Sequence, residues 1–494
     1  MEMSCDVLVI GGGINGAGIA RDAAGRGLSV VLVERGDLAN ATSSASSKLI
    51  HGGLRYLELY EFRLVAEALA ERETLLRVAG HLTWPLSFVM PHVPELRPRW
   101  MIRAGLFLYD HLARRSLLPG SRAVRLDAPP YGSGLAPALK HGFLYSDCRV
   151  DDARLVIANA HDAAARGARV LVGTECVAAR REPGGWQVRL SSGEEVRARA
   201  LVNAAGPWVK QVLNERLGQP SADAVRLVRG SHIVVPRLYE GEHAFILQND
   251  DRRVVFMIPY EERFTLVGTT DVPHDGDPSR PEASVAEVEY LCRAANRYLR
   301  RAVSPAEVLW RYAGVRPLYD DGSASPSAVT RDYVLRLDTD QGAAPVLSVF
   351  GGKITTYRRL AEYAIEKFAP WFPGMGPAWT ADAPMPGATF PAGDVSRFLQ
   401  RLEERHPQLP QPLLRALARR HGALAYDVLG NAAAAADLGA YFGAELYARE
   451  IDYLVEQEWA ASAEDVLWRR TKAGLSLDAG QREAVARYLI QRLS

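Results

Sequence analysis

The stretch from Asp6 to Glu34 constrains this chain more than any other. Asp6-Val-Leu-Val-Ile10 is a short, β-branched apolar run and reads as a strand buried on both faces. Gly11, Gly13 and Gly16 come next on a GxGxxG spacing. The first permits a tight turn, the second a close backbone approach to a pyrophosphate, and the third close packing of helix on strand. A helix is predicted to about Arg26, a stop at Gly27 and a second strand over 28–33. Glu34 ends that strand, where a carboxylate accepts hydrogen bonds from an adenosine ribose and repels a 2′-phosphate. This is half of a dinucleotide-binding fold. By itself it does not separate one dinucleotide from another.

The strands further along the chain separate them. Residues 170–178, 186–190 and 194–197 read as three strands, with Pro183-Gly184-Gly185 and Ser192-Gly193 as turns. A strand ending in Asn203-Ala-Ala-Gly-Pro-Trp208 comes next. A nucleotide half-fold, a meander and a returning strand make the layout of FAD-binding two-dinucleotide-fold proteins, whereas a nicotinamide dehydrogenase continues its βαβ units. Residues 227–337 are strand-rich, broken by one helix over 284–299, and suit an antiparallel substrate domain. Val346 to Phe350, Gly351-Gly352 and the helix after them return the chain to the nucleotide unit. The expected class is α/β: a Rossmann-like, two-dinucleotide-binding FAD domain, an antiparallel β-sheet substrate domain and a helical C-terminal domain. The FAD domain is assigned 1–78, 142–215 and 341–375. Segment 79–141 faces substrate or membrane, 216–340 is the β-rich substrate domain, and 381–494 is the helical cap.

With 494 residues the chain has room for two or three domains. Lys and Arg number 59 against 58 Asp and Glu, which argues against a nucleic-acid partner. The four cysteines lie far apart, with no zinc spacing, and are expected to be reduced. The first strand begins within six residues, leaving no room for a signal peptide. No apolar run approaches the ~18 residues that span a bilayer. Residues 100–115 are apolar and aromatic, flanked and interrupted by Arg97, Arg99, Arg103, Arg114 and Arg115. That suits either a helix in an anionic membrane interface or a buried helix with arginine ends. Residues 357–372 are a second such segment.

The stretches SSKLIHGGLRYLE, WMIRAGLFLYDHL, YSDCRVDDARL, NAAGPWVK, RGSHIVVP, AGVRPL, TRDYVL, FGGKITTYR and WRRTKAGL, together with the glycine motif, cover nearly the whole chain. By these motifs it resembles the FAD-dependent, aerobic glycerol-3-phosphate dehydrogenases, in the bacterial form without presequence or calcium-binding loops. The resemblance implies oxidation of sn-glycerol 3-phosphate to dihydroxyacetone phosphate, with electrons passing through non-covalent FAD to ubiquinone. It also implies a cytoplasmic protein held peripherally on the cytoplasmic face of the inner membrane, contact with anionic lipid, and a homodimer.

Such a substrate needs a phosphate clamp, a base and a hydride path. Arginine suits the clamp because its planar fork donates two bonds and stays charged. Arg55 and Arg331 are assigned to phosphate and Arg316 to the reacting oxygen, each against a structural ion pair as the plainer reading. His232 heads a strand and, with an ordinary pKa near ~6.5, suits a general base. Lys353 follows two glycines and suits stabilisation of reduced flavin or alkoxide. Tyr56, Tyr260 and Thr270 line the pocket. The FAD contacts are expected from Gly11, Gly13, Ile14, Asn15, Gly16, Glu34 and Arg35, and from the loop residues Thr42, Ser43, Ser46, Ser47, Lys48, Leu49, His51, Gly52 and Gly53. Val177, Ala205, Gly206, Trp208, Gly352, Lys353, Ile354 and Thr355 complete them. No metal is expected. The competing readings are an oxidase that passes electrons to oxygen, an amine or amino-acid oxidase, and a non-catalytic flavin-binding membrane sensor.

Overall fold

The computed structural model describes residues 3–251, 253–320, 332–339, 343–390 and 394–494; Arg331 lies outside them. Five strands run parallel in the order Val346–Phe350, Glu195–Asn203, Met3–Ile10, Val30–Glu34 and Arg169–Val172. Val7, Val9, Leu32 and Val202 point to one face, covered by the helices Ile14–Gly25, Asp152–Ala165 and Tyr357–Glu366. Leu8, Val31 and Leu201 point to the other, covered by Trp186 and Val188 of an antiparallel layer. Both faces are therefore dry, which is why these strands read as unbroken apolar runs. Each fully buried Val or Leu contributes about 1.5–3 kcal/mol.

A second sheet of ten strands carries the substrate side. At its centre Phe256, Gly268, His232 and Tyr312 stand opposite one another on four adjacent strands. Gly268 is a necessity in that row, since a Cβ there would sit 2.1 Å from the His232 ring.

The structure redraws several sequence boundaries. Leu49–Ile50 and His141–Val150, expected within or beside the nucleotide domain, are paired strands of the substrate sheet, as is Thr83–Pro91. The run expected as one strand over 170–178 is two: Arg169–Val172 joins the parallel core, and Cys176–Glu182 joins the antiparallel layer. Residues 357–372 are no membrane segment. Arg358 is buried between Glu71 and Glu362, and Tyr357, Phe368 and Phe372 lie in the core. All four cysteines are free and buried, and burial raises the Cys5 and Cys176 thiol pKa values to about 12.

The C-terminal helices Val395–Arg405, Gln411–His421, Ala448–Glu458 and Ala479–Leu493 build apolar cores of their own. They dock on the nucleotide domain through buried ions. Arg470 reaches Asp37 at 2.7 Å, Arg469 reaches the same carboxylate at 2.5 Å, and Arg154 pairs with Glu458.

Candidate functional site

A long cleft opens above the carboxyl ends of the parallel strands, where ligands bind in open α/β sheets. Gly11, Gly13, Ile14, Asn15, Glu34, Arg35, Thr42, Ser43, Ala205, Gly206, Trp208 and Gly352 all line it. Gly11 has φ +110°, and a Cβ on Gly16 would sit 1.8 Å from the Gly11 carbonyl, so the turn closes only with glycines. Glu34 accepts from the Gly12 and Gly36 N–H groups at 2.6 and 2.8 Å, which fixes its carboxylate at the cleft's edge with lone pairs to spare. Burial nevertheless raises its pKa. Ser43 accepts from the N–H of Ile14 at 3.0 Å, and the Arg35 guanidinium lies 4.1 Å over the Trp208 ring.

FAD fits this cleft. Asn15 Oδ1 is buried in its wall without a partner among the described residues, an acceptor waiting for a donor. The start of the helix Ile14–Gly25 faces the same space, as a pyrophosphate requires. Thr174, Glu175, Gln211 and Arg216 also line the cleft and were not foreseen. They reach it through tertiary folding from segments with no motif.

Past the cleft's end, the loop 42–56 and the segment 351–355 face the substrate sheet. Thr42 donates to the Val315 carbonyl at 2.6 Å, and Ser47 Oγ lies 2.8 Å from His232 Nε2. The N–H of His51 reaches Thr355 Oγ1 at 3.3 Å, its ring meets Phe256 edge-on, and Gly52 N–H donates to Tyr109 at 2.8 Å. Gly53 has φ +76° and turns the chain into Arg55 and Tyr56. Lys353 Nζ stands 4.1 Å over the Tyr56 ring, and Ile354 packs on the core beneath.

His232 is buried, stacks on Tyr312 at 4.8 Å and has no partner at Nδ1 among the described residues. Its pKa is not the ordinary one. Burial, with Lys48 and Arg316 nearby, takes it down to about 3. Arg316 donates to Asp271 at 2.6 Å and to the Thr270 carbonyl at 2.9 Å. Arg55 is half-buried and makes no hydrogen bond or ion pair with any described residue.

Six expected contacts lie elsewhere. Lys48 and Ser46 are spent on Asp152, at 2.8 and 2.7 Å, because a buried ammonium needs a counter-charge. Leu49 is packed into the substrate-domain core. The irregularity between Cys176 and Ala178 takes Val177 out of the lining, and Thr174, Glu175 and Cys176 stand there instead. Thr270 turns its hydroxyl to Glu287 at 2.8 Å, on the far side of the sheet. Tyr260 lines a separate cavity.

Residues 6–358 match the family model described as FAD dependent oxidoreductase, and residues 378–493 match the C-terminal domain of alpha-glycerophosphate oxidase. The chain is 53% identical to the aerobic glycerol-3-phosphate dehydrogenase of Escherichia coli, over 99% of each chain. It is 50% identical to the D-erythritol 1-phosphate dehydrogenase of Brucella abortus, over 97% of each. Among solved structures, that of glycerol-3-phosphate dehydrogenase from Bacillus halodurans complexed with FAD superposes with a TM-score of 0.77, at 28% identity, over 99% of this chain and 90% of that one. The chain belongs to the FAD-dependent glycerol-3-phosphate dehydrogenase family.

Proposed function

We propose that the chain oxidises sn-glycerol 3-phosphate to dihydroxyacetone phosphate and passes the electrons to ubiquinone at a membrane surface. The observation that supports the reaction is an FAD cleft with basic side chains on the elements beyond its end: His232 and Arg316 on the sheet, Lys353 and Arg55 on the segments that face it. Bound FAD supplies the hydride acceptor. The protein's residues do the rest. Arg55, uncommitted to any described side chain, binds the phosphate, and Arg331 is proposed to share it. Arg316 and Lys353 hold the oxygen that becomes a carbonyl, their charges lowering the cost of an alkoxide. His232 takes the hydroxyl proton at Nε2, where the substrate hydroxyl displaces Ser47 Oγ. The substrate dianion offsets the Lys48 and Arg316 charges that depress this imidazole, so the ring becomes more basic once substrate is bound.

Membrane attachment is supported by one face. Trp100, Met101, Phe107 and Leu108 of the helix Arg99–His111 are exposed beside Leu59, Tyr60 and Phe62, while Ile102, Leu106 and Tyr109 hold the helix to the body. An apolar patch with exposed Arg99, Arg103 and Arg114 fits the headgroup layer of an anionic bilayer. Among the described residues no helix is long and apolar enough to cross a membrane.

The test is an anaerobic visible spectrum in mild detergent. sn-Glycerol 3-phosphate should bleach the flavin band, and a soluble ubiquinone analogue should restore it. Restoration by oxygen alone, with peroxide, supports an oxidase. Faster bleaching by D-erythritol 1-phosphate moves the assignment to the longer polyol phosphate, and no bleaching by either removes catalysis.

A further inference from the structure

Tyr260, freed from the substrate pocket, points to a different site. It lines a cavity of about 20 Å³ at the seam between the substrate sheet and the helical C-terminal domain. Arg149 and Trp84 come from the sheet, and Arg419 and Lys472 from the helical domain. None of the residues that line it lines the dinucleotide cleft.

Three of its four cations are answered. Lys48 pairs with Asp152 at 2.8 Å, Arg419 with Glu261 at 2.9 Å, and Lys472 with Asp151 at 2.9 Å. Arg149 has no carboxylate within ion-pair distance among the described residues. Its contacts are the Pro259 carbonyl at 3.5 Å and the face of Trp84 at 4.9 Å, whose ring also carries Arg419 at 5.3 Å. A guanidinium so enclosed and so close to a second one is destabilised as a cation: burial and Arg419 pull its pKa down to about 10. The Tyr260 hydroxyl, in the same wall, is buried and has no partner among the described residues. An unanswered cation and an orphaned O–H donor facing one small space both call for the same thing, an anionic acceptor.

We propose that this seam binds a small inorganic oxyanion of the phosphate class, with Arg149 supplying charge and Tyr260 a hydrogen bond. The cavity exceeds the ~10–15 Å³ that one water needs, yet leaves no space for an organic tail. A compact ion is therefore the class proposed, and not a phosphate ester. The anion would bridge a strand of the substrate domain to the helical domain. It would also sit behind Lys48, whose ammonium lies 5.3 Å from the Tyr312 ring on which His232 stacks.

Equilibrium dialysis of the FAD-loaded full chain against radiolabelled inorganic phosphate tests this. Arg149→Gln should bind one phosphate per chain fewer than the parent, and Tyr260→Phe, which keeps the ring's packing, should weaken that one phosphate about five- to tenfold. Excess phenyl phosphate should fail to displace it. Equal phosphate in the parent and both variants overturns the proposal, as does unaltered affinity in Tyr260→Phe should Arg149→Gln not fold. Displacement by phenyl phosphate overturns the assignment to a compact ion.

Discussion

Arg316 shows what a single side chain is asked to do here. Its strand sets Val228 opposite, and its guanidinium reaches past Gly230, where a Cβ would stand 2.9 Å from Nη2. Asp271 and the Thr270 carbonyl both accept from Nη2 and so fix the direction in which the guanidinium points. Arg316→Ala should lower kcat/KM for sn-glycerol 3-phosphate by about 10²–10³, with the flavin absorbance intact. Arg316→Lys should recover little, because a point charge cannot keep Asp271 and face the substrate together. Steady-state kinetics with the visible spectrum check both, and loss of FAD would mean that Arg316 holds cofactor instead. His232→Gln should cost about 10²–10⁴ in kcat, and the remaining rate should lose its fall at acid pH. An unchanged pH profile would assign the proton to another group. Glu34→Ala exposes the Gly12 and Gly36 N–H groups as well as removing a ribose acceptor, so FAD should dissociate faster in gel filtration at unchanged substrate preference.

At the scale of elements, the helix Arg99–His111 divides into two apolar faces, and only one is used by the fold. Trp100 is 70% exposed and Phe107 55%, one above the other on the outward side. Replacing both with serine should leave the thermal midpoint nearly unchanged while sharply reducing flotation with anionic vesicles. A large drop in midpoint would instead make them part of a protein interior. From sequence this helix could not be told from a buried one, because periodicity reports apolar faces and not what covers them. The same limit misled the reading of 357–372, where Arg358 is buried between Glu71, from elsewhere in the chain, and Glu362 on its own helix. Local signals did better. The strand, turn and helix of the dinucleotide unit were legible because Gly11 is set by its own φ of +110° and Gly16 by the Gly11 carbonyl five residues before it. Lys48 and Thr270 were misassigned because their partners, Asp152 and Glu287, sit on other elements and have no mark of their own in sequence. Tyr260 lay on a recognised strand, but which face it took depended on sheet pairing.

Across the whole molecule, the helical C-terminal domain is held to the nucleotide domain by buried charge, and two histidines sit in that junction. His81 is wedged where Gly387 and Gly422 cross, since a Cβ on either would come within 2.9 Å of its ring. His421 accepts from Arg154 at Nδ1, at 3.2 Å, and donates from Nε2 to Glu450 at 2.9 Å. Burial, with Arg154 and His421 beside it, lowers the His81 pKa to about 3; burial likewise takes His232 to about 3 and His243 to about 4. A histidine depressed in the folded state stabilises the fold above its unfolded pKa near 6.5, and that contribution is lost as pH falls towards the folded value. Asp22 acts the other way: burial raises it to about 6, so its contribution is present at low pH and lost as pH rises through that value. Between about pH 4 and 6 the three histidines outnumber the one carboxylate, and unfolding should take up about two protons net from these four groups, each worth about 1.4 kcal/mol per pH unit. With saturating FAD, the urea midpoint should therefore fall steadily below pH 6.5. His81→Gln should remove about one proton from that slope, because the uncharged amide has nothing to titrate when the junction opens. If the variant keeps the parent's slope, His81 is already charged in the folded protein, and the junction is held by protonation rather than by its absence.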